Sequence, residues 1–547
     1  MPEEIRNQHF LPSIFVLQFF IVEGKRLFLA ISDLFFTYLP VNHMRLHFLF
    51  LLLTLAPVKK ALMAGDRPNI IFIMTDDHSY QTIGAYGGRL QFLNPTPQLD
   101  KLAEQGMRFE RCYVENSICA PSRATLLTGK MSHQHGKYSN KQNVVFDHHQ
   151  QQFQKLLQKG GYQTAMIGKI HLDGDMQGFD YWDVLLRQGE YLDPQFFSPN
   201  GVEVAKGYVT DIVVDKALDW LQNGRSEEEP FMLMVHQKAP HRPWIPAKKY
   251  LDLYEEIEIP EPDNFWDDYK GKASAAAQQE MTIAQHMRLS SDLKIEPETS
   301  PRYQRIGFDG RFSPRHEKYR DLSLSEGEQT KLYYQLYMKD YLRCIKSVDD
   351  NVGRLLDYLD LSGLAENTVV VYTSDQGFYM GEHGWFDKRF MYEESFRTPL
   401  IVRWPAVIKP QSVNQELVQN IDFAETFLDL AGLDIPADMQ GQSIVPLLRG
   451  EQPHDWRDHL YYHYYEYPGP HAVRRHEGVA GKRYKLIRFY GKDVLNGEEW
   501  EFYDLKKDPS EMNNLYGKKS AQKKVDALKL VLNDLKIKYQ VQEDLIP

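Results

Sequence analysis

The stretch "NIIFIMTDDHS", residues 69 to 79, is a run of apolar and β-branched residues that ends in two aspartates. The apolar residues are continuous rather than alternating with polar ones. This predicts a strand buried on both faces, as in an α/β sheet. Ligand sites in such sheets lie beyond the carboxyl ends of the strands. Asp76 and Asp77 follow this strand, so we place them at a candidate ligand site.

Three further segments repeat the pattern of an apolar strand followed by polar residues. They are "QQFQKLLQKGGYQTAMIGKIHL" (151–172), "FMLMVHQKAPHRPW" (231–244) and "NTVVVYTSDQG" (367–377). Between strands, "TPQLDKLAEQGMRF" (96–109) predicts a helix with a Thr cap and Gly106 at its end. Strands that alternate with helices predict an α/β fold. Its rim would gather the polar residues that end the strands, namely Asp76, Asp77, Lys169, His171, His241 and Asp375.

Composition changes along the chain divide it into three parts. "MRLHFLFLLLTLAPVKKALMAG" (44–65) has the basic start, apolar core and small-residue exit of a signal peptide. Residues 1–65 are therefore predicted to be an N-terminal extension with its true start at Met44, an N-terminal anchor being the alternative. Residues 66–455 form the predicted main domain. Residues 456–547 combine short aromatic-rich strands with a terminal helix, which predicts a small antiparallel α+β subdomain.

Two segments near the middle of the chain differ from their surroundings. Residues 255–330 are polar and biased towards Ala and Gln, which predicts a flexible or loosely helical insertion. The next segment is a long amphipathic helix that contains Cys344, so a buried structural thiol is predicted there.

Charge and cysteine content exclude several classes of protein. A net charge of −11 over 547 residues argues against a nucleic-acid-binding protein, since such proteins carry a basic excess. The three cysteines, Cys112, Cys119 and Cys344, are too few for a disulfide framework and allow at most one bridge. Their spacing does not favour a zinc site built on sulfur.

Cys119 opens the segment "CAPSRATLLTG" (119–129), in which Pro121 and Gly129 predict a short helix. A cysteine at a helix N-terminus is expected to have a lowered pKa, and Arg123 would lie over the same face and pair with an anion. The alternative is a small buried hydrophobe. The strand-end pairs Asp76-Asp77 and Asp375-Gln376 suit a hard cation, Ca²⁺ or Mg²⁺, the alternative being turn or helix caps.

The segment "CAPSRATLLTG" resembles the Cys-x-Pro-Ser-Arg-x-x-x-Leu-Thr-Gly signature of the type I sulfatases. "PNIIFIMTDD", "GKIHLD", "APHRPW" and "SDQGFYMGEHGWFDKR" agree with that family, and the resemblance runs from about residue 67 to 517. It implies an alkaline-phosphatase-like α/β fold. This fold has a large mixed or parallel sheet flanked by helices, with a smaller C-terminal antiparallel-sheet domain and a terminal helix. Residues 66–455 would be the sulfatase catalytic domain.

The resemblance also implies roles for individual residues. Cys119 would be oxidised by a maturation enzyme to formylglycine. This group would be the nucleophile and would also be a ligand of the metal ion. Ca²⁺, rather than Mg²⁺, would be held by Asp76, Asp77, Asp375 and Gln376, the last standing where Asn or His is more usual. Arg123 would support the nucleophile, and His241 would be the general acid. Positive charge around the sulfate would come from Lys169, His171 and Lys388.

The segment "FDKRFMYEE" (386–394) resembles the pattern of N-acetylglucosamine-6-sulfatases. It implies a secreted or periplasmic hydrolase of the 6-O-sulfate of glucosamine or N-acetylglucosamine, acting on heparan-type or mucin-type glycans. Arg475 and His476 are predicted to contact the sugar, the alternative being that their segment is a solvated aromatic hairpin. We expect no nucleic-acid partner and no stable membrane span. The alternatives are a sulfatase for the 2-O, 3-O or 4-O position, a phosphodiesterase of the same superfamily, or a silent glycan-binding protein whose Cys119 is never matured.

Overall fold

The computed structural model describes residues 67–296, 311–319 and 321–542. The signal peptide and the start at Met44 predicted from the sequence lie outside these residues. The strands are β1 (Asn69–Thr75), β2 (Met107–Phe109), β3 (Cys112–Tyr113), β4 (Gln163–Gly168), β5 (Tyr181–Leu185), β6 (Gln195–Ser198), β7 (Gly201–Val204), β8 (Phe231–His236), β9 (Thr368–Ser374), β10 (Arg397–Thr398), β11 (Leu400–Arg403), β12 (Ser412–Asn414), β13 (Val418–Gln419), β14 (His459–Tyr464), β15 (His476–Gly481), β16 (Tyr484–Tyr490) and β17 (Glu498–Asp504).

The α-helices connect these strands and cover both faces of the sheet that they form. They are α1 (Pro97–Gln105), α2 (Cys119–Thr128), α3 (Ser132–His135), α4 (Phe153–Lys159), α5 (Val209–Asp219), α6 (Ser274–Gln278), α7 (Ile283–His286), α8 (Ser313–Tyr319), α9 (Glu326–Ser362), α10 (Glu393–Phe396), α11 (Phe423–Leu430), α12 (Val445–Leu448) and α13 (Gln522–Lys538).

Ten of the strands form one mixed sheet in the order β12–β2–β11–β9–β1–β8–β4–β5–β6–β7. The four strands predicted from the sequence, β9, β1, β8 and β4, are consecutive in this order and parallel to one another. Their carboxyl ends therefore meet at one edge. The predicted rim of polar residues follows directly from this pairing.

Every residue of β1 is buried, as its continuous apolar run predicts. Its odd-numbered residues Ile71 and Ile73 belong to the core that contains α9, whereas Ile70 and Phe72 pack with α11 on the opposite face. Two apolar cores thus enclose the sheet, one on each side. This arrangement explains why the strand sequence lacks a polar alternation.

The segment predicted to be a flexible insertion, residues 255–330, is packed where the structure describes it. Met281, Ile283 and Leu293 are buried in the main core, and α6, α7 and α8 are short. The segment is also held by ions, because buried Asp340 of α9 pairs with Lys294 at 2.9 Å and with Arg315 at 2.7 Å. The described residues are thus packed and ion-paired, which contradicts the flexible alternative, whereas their short helices agree with the loosely helical one.

Near the C-terminus, β14 to β17 form an antiparallel sheet of four strands, with α13 packed on one face through Val525, Leu528 and Leu532. The predicted boundary between residues 455 and 456 lies in the connection from α12 to β14, and a separate subdomain stays a prediction. Cys112, Cys119 and Cys344 are buried and unbridged. Among the described residues, no helix is long and apolar enough to cross a membrane.

Glu115 is a buried carboxyl group that supports α2. Thr125 Oγ1 donates to it at 2.8 Å, and Ser132 Oγ also donates to it. Burial raises the pKa of Glu115 to about 7 from its ordinary 4.5. Between those two values the folded chain keeps a proton that the unfolded chain has lost, so the free energy of unfolding falls as the pH rises.

Glu115→Gln should remove this component of the pH dependence while keeping an oxygen acceptor for Thr125 and Ser132. We expect the free energy of unfolding of the wild type to fall by up to about 3 kcal/mol more than that of the variant between pH 4.5 and 7. Urea unfolding at several pH values measures it, with the exposed Glu104→Gln as control. Equal pH slopes in Glu115→Gln and the wild type would contradict the assignment.

Candidate active site

Helix α2 begins at Cys119, directly after the extended residue Ile118, and ends at Gly129, whose φ of 64° is left-handed. Pro121 lies in its first turn, as the sequence predicts. Every residue of α2 is buried. Ser122 Oγ donates to the carbonyl of Asp375 at 2.5 Å, and Asn420 Nδ2 donates to Ser122 Oγ at 2.9 Å. These bonds hold the start of the helix against the end of β9.

Three buried carboxylates meet beyond the ends of β1 and β9. Carboxylate oxygens of Asp76, Asp77 and Asp375 lie within 4.8 Å of one another. Thr75 pairs with Ser374 at the last position of the two strands, which brings the following aspartates together. Asp77 takes a left-handed φ of 73°, and its backbone N–H donates to Asp375 Oδ1 at 3.1 Å.

Cations from three different parts of the chain surround these carboxylates. Arg123 Nη2 lies 2.9 Å from Asp375 Oδ2 and 3.8 Å from Asp76 Oδ1. Lys169 Nζ contacts Asp76, and Lys388 Nζ contacts Asp77. Lys388 Nζ is also 3.2 Å from Cys119 Sγ, so the predicted nucleophile position touches this cluster.

The pKa values of the carboxyl groups respond to burial and to these neighbours. Burial would raise the pKa of Asp76, but Lys169, His241 and Arg123 together hold it well below its usual value. Burial raises the pKa of Asp77, and burial together with Asp76 raises that of Asp375 to about 7. Burial is thus the main cause of the raised pKa values, and each carboxylate has at least one cationic partner. The meeting point of Asp76, Asp77 and Asp375 is called the junction below.

The donor set fits a hard divalent cation. Asp76 Oδ1 and Gln376 Oε1 are buried atoms without a hydrogen-bond partner among the described residues. Gln376 Nε2 donates to Asp77, which leaves Oε1 available as an oxygen ligand. Carboxylate and amide oxygens suit Ca²⁺. Cys119 Sγ and a ring nitrogen of His241 also lie within 4.8 Å of an Asp76 oxygen, so the predicted position of Cys119 beside the metal agrees with the geometry.

The pKa of the Cys119 thiol differs from the one predicted from the sequence. Its position at the start of α2 predicts a lowered pKa, but burial raises the pKa of its thiol to about 12, although Lys388 favours the thiolate. The expectation of a lowered pKa was therefore wrong, because the cost of burying an anion exceeds the stabilisation by the helix end.

Lys169 and His171 follow β4 and are linked by Gln188. Gln188 Oε1 accepts from Lys169 Nζ, and Gln188 Nε2 lies 3.0 Å from His171 Nε2. Burial and the charge of Lys169 hold the pKa of His171 well below its usual value, so the ring is neutral and accepts the amide proton at Nε2. No signal in the sequence pointed to Gln188.

His241 lies at the mouth of the junction, with Nε2 3.8 Å from Asp77 Oδ2. Its Nδ1 lies 2.7 Å from the carbonyl of Arg242 and donates to it. This bond fixes the ring and leaves Nε2 as the atom that faces the carboxylates. Burial holds the pKa of His241 well below its usual value.

Comparison with known proteins now identifies the family. Residues 68–433 match the family model described as Sulfatase, and residues 381–538 match the model described as N-sulphoglucosamine sulphohydrolase, C-terminal. The chain belongs to the sulfatase family. Members of this family are sulfuric ester hydrolases that generally use formylglycine and Ca²⁺.

Three relatives are informative about this sulfatase. The chain is 46% identical to N-acetylglucosamine-6-O-sulfatase of Bacteroides thetaiotaomicron over 90% of this chain and 91% of that protein. It is 30% identical to human N-acetylglucosamine-6-sulfatase over 73% of this chain and 67% of that protein. A solved structure, described as a complex with its substrate D-glucosamine-2-N,6-O-disulfate, matches 87% of this chain and 99% of that chain, with a TM-score of 0.82 and 45% identity. The expected alkaline-phosphatase-like α/β fold is confirmed.

Two residues of the sulfatase predicted to contact the sugar form hydrogen bonds to the backbone. His476 is fully buried in β15, where Nε2 accepts from the N–H of Met391 at 3.1 Å and Nδ1 donates to the carbonyl of Arg474 at 2.8 Å. Arg475 donates to the carbonyls of Tyr465 and Tyr467. Both ring nitrogens of His476 are used by the backbone, which corrects the prediction for that residue. The sugar contact of Arg475 stays a prediction. The sequence did not reveal that His476 begins a buried central strand.

Sequence reasoning also missed a charged group beside Lys388. Asp387 is buried, and Arg389 and His471 hold its pKa well below its usual value despite that burial. His471 Nε2 lies 3.2 Å from Asp387 Oδ2, and Arg242 Nη1 lies 3.9 Å from the same oxygen. Two signals were available in the sequence. Asp387 directly precedes the predicted site residue Lys388, and Arg242 directly follows His241.

A cavity of about 170 Å³ opens next to His241. Its other lining residues are Gln188, Gly189, Glu190, Lys238, Arg242, Pro243, Arg288, Ser291 and Asp292. A larger cavity of about 570 Å³ contains none of the predicted site residues. The smaller cavity therefore adjoins the predicted site at His241. A further cavity of about 150 Å³ contains His171.

His476→Phe tests the structural role of this histidine in the sulfatase. The ring should still pack between Phe390 and Tyr462, but the N–H of Met391 would lose its acceptor. We expect the free energy of unfolding to fall by about 1–3 kcal/mol while the KM for a sulfated sugar stays within about twofold. Chemical unfolding and steady-state kinetics measure both values. An unchanged stability with a KM raised tenfold or more would restore the sugar-contact role.

Proposed function

We propose that this protein hydrolyses the 6-O-sulfate of N-acetylglucosamine or glucosamine in heparan-type or mucin-type glycans. The observation that carries the proposal is the junction at Cys119, whose Sγ lies 3.2 Å from Lys388 Nζ beside three buried carboxylates. Similarity to N-acetylglucosamine-6-O-sulfatase over most of both chains supports the 6-O position. The segment 386–394, which carries Lys388, resembles that subfamily as well.

The thiol of Cys119 is poorly suited to act as the nucleophile. With its pKa raised to about 12, it is neutral at physiological pH, and a neutral thiol is a weak nucleophile. We infer that a maturation enzyme converts Cys119 to formylglycine, whose hydrate would supply one hydroxyl to attack sulfur and another to release the sulfate. Lys388 provides positive charge at this position, and burial keeps bulk water away from it.

Asp76, Asp77, Asp375 and the free Oε1 of Gln376 would hold Ca²⁺. The bound ion would polarise the sulfate oxygens and lower the pKa of a neighbouring hydroxyl. Arg123 uses Nε and Nη2 on Asp375 and Nη1 on the carbonyl of Lys169. It therefore acts as a positioning residue that orients Asp375 and the end of β4, rather than as a contact to the sulfate.

Positive charge for the sulfate would come from Lys169 and Lys388, whose ammonium groups contact two different carboxylates of the junction. His171, neutral and joined to Lys169 through Gln188, would contribute a polar contact at the same edge. Charges that are already in position do not have to reorganise as charge develops on the sulfate oxygens. This is the electrostatic part of the proposed catalysis.

His241 is the residue we propose for protonating the leaving oxygen. An alkoxide is strongly basic and must receive a proton as the S–O bond breaks. The ring is oriented by its bond to the Arg242 carbonyl and faces the cavity from which the sugar would leave. A bound sulfate ester adds negative charge beside Nε2, which favours the protonated ring that this role requires.

The other functions are less well supported by the residues present. A phosphodiesterase of the superfamily would need a second metal site. Here the positively charged side chains of Lys169 and Lys388 lie in its place, around the nucleophile position. We also propose secretion or a periplasmic location, with a sulfated glycan and the maturation enzyme as partners. The predicted signal peptide is the support for that location.

Sulfate release from a panel of 2-O-, 3-O-, 4-O-, 6-O- and N-sulfated monosaccharides tests the proposed function. We expect 6-sulfated N-acetylglucosamine to be the preferred substrate, and Cys119→Ala to lose at least about 10⁴-fold in kcat because the nucleophile is absent. The matched control is Cys344→Ala, which removes a buried thiol of α9. Preference for another position, or undiminished turnover by Cys119→Ala, would overturn the assignment.

Mass spectrometry of the active enzyme tests the modification itself. Trypsin releases residues 112–123 as one peptide, which contains both Cys112 and Cys119. After alkylation of thiols, the peptide should carry a single label, on Cys112, and an aldehyde at position 119. A doubly labelled peptide from fully active protein would contradict the formylglycine mechanism.

Calcium binding has its own test, based on stability. Excess Ca²⁺ should stabilise the wild type by about 2.7 kcal/mol at 100 times its Kd, and Asp375→Asn should lose most of that gain. Chelation should also lower activity at least tenfold. The control is Glu366→Gln, which removes an exposed carboxylate. Thermal unfolding with and without Ca²⁺ measures the effect, and equal gains in Asp375→Asn and the wild type would rule out this ligand set.

A further inference from the structure

Arg288 follows α7 and lines the cavity that opens at His241. Its side chain is exposed, and its guanidinium makes no hydrogen bond or ion pair with any residue in the described ranges 67–296, 311–319 and 321–542. An arginine carries up to five donors and a permanent positive charge. Here those donors are directed to a cavity next to the proposed general acid.

Hydrogen bonds hold the backbone around Arg288, whereas its side chain has no bonded partner within the part of the chain that the structure describes. Asp292 Oδ2 accepts from the N–H of Arg288 at 2.9 Å, and the N–H groups of Asp292 and Leu293 donate to the carbonyl of Arg288. Asp292 also pairs with Arg242, whose Nε lies 3.2 Å from Asp292 Oδ1. The turn is therefore tied to the residue that follows His241.

The charges of the two neighbouring residues compensate each other. Arg242 and Asp292 form a buried pair within the cavity wall, so neither contributes a free charge to a ligand. Among the residues that the structure describes, the Arg288 guanidinium has no such partner. It therefore presents an unpaired positive charge to a cavity that Glu190 and Lys238 also line.

We propose that Arg288 is a specificity residue that binds a second anionic group of the substrate, distinct from the sulfate that is hydrolysed. This proposal rests on the proposed function. A guanidinium matches the geometry of two oxygens of a sulfate or carboxylate, and it gains little from a neutral acetyl group. The solved relative was described with a substrate that carries a sulfate on N2 in addition to the 6-O-sulfate.

Two chemical sources could supply that second anion, and kinetics on three sugars separate them. The sugars are 6-sulfated N-acetylglucosamine, the 2-N,6-O-disulfated glucosamine, and a disaccharide in which 6-sulfated N-acetylglucosamine is linked to a uronic acid. Each is assayed with the wild type, Arg288→Ala, Arg288→Lys and the control Arg449→Ala, which removes an exposed arginine that lines none of the cavities described above.

We expect Arg288→Ala to lower kcat/KM about tenfold on at least one sugar with a second anion, and to leave the monosulfated sugar within about twofold. Arg288→Lys should recover part of the loss. An effect on the N-sulfated sugar alone identifies the N-sulfate, and an effect on the disaccharide alone identifies the uronate carboxylate. Equal losses on all three sugars, or no loss on any, would overturn the proposal.

Direct binding separates this proposal from the proposed function. Calorimetry of the same sugars with Cys119→Ala, and with that variant carrying Arg288→Ala, requires no turnover. If the wild type releases no sulfate from any of the sugars, the proposed function fails, and the calorimetric difference still tests Arg288. If the wild type is active but neither binding nor kinetics depends on Arg288, only the present proposal fails.

Discussion

The pairing of β1 with β9 places three carboxylates at one buried corner, and the surrounding structure compensates their charge. Burying an anion without a partner is costly, so each carboxylate needs a cation or a metal ion close to it. Arg123 comes from α2, Lys169 from the end of β4 and Lys388 from the segment after β9. Segments far apart in the chain thus meet at the junction because its carboxylates need cationic partners. The strand order of the sheet determines which segments can reach it.

Helix α2 illustrates how burial changes the chemistry of a residue. A helix N-terminus favours an anion by about 0.3–1 kcal/mol near the surface. Complete burial of Cys119 acts in the opposite direction and is stronger, so the pKa of the thiol rises to about 12. A neutral thiol beside Lys388 is consistent with a residue that serves as the precursor of another group. Arg123 is buried as well, and its guanidinium donates to Asp375 and to the carbonyl of Lys169. The arginine therefore positions these groups.

The cavity beside His241 is partly lined by the segment that composition alone suggested to be flexible or loosely helical. Its buried apolar residues join the main core, and Asp340 of α9 anchors it through Lys294 and Arg315. Asp292 in turn pairs with Arg242, next to His241. The insertion is therefore coupled to the site through ion pairs, and its turn brings Arg288 to the cavity.

The sequence by itself determined the strands that carry the site, because a continuous apolar run ending in aspartates describes a central parallel strand. It also located Asp76, Asp77, Cys119, Arg123, Lys169, His241, Asp375 and Lys388, since each lies next to a strand end or within a specific motif. Only the tertiary structure decided that Gln188, Asp387 and Arg288 join this neighbourhood and that His476 does not. The physical reason is that partners and burial depend on contacts between distant segments. A histidine in a polar-looking stretch is exposed or buried according to which strands pair beside it.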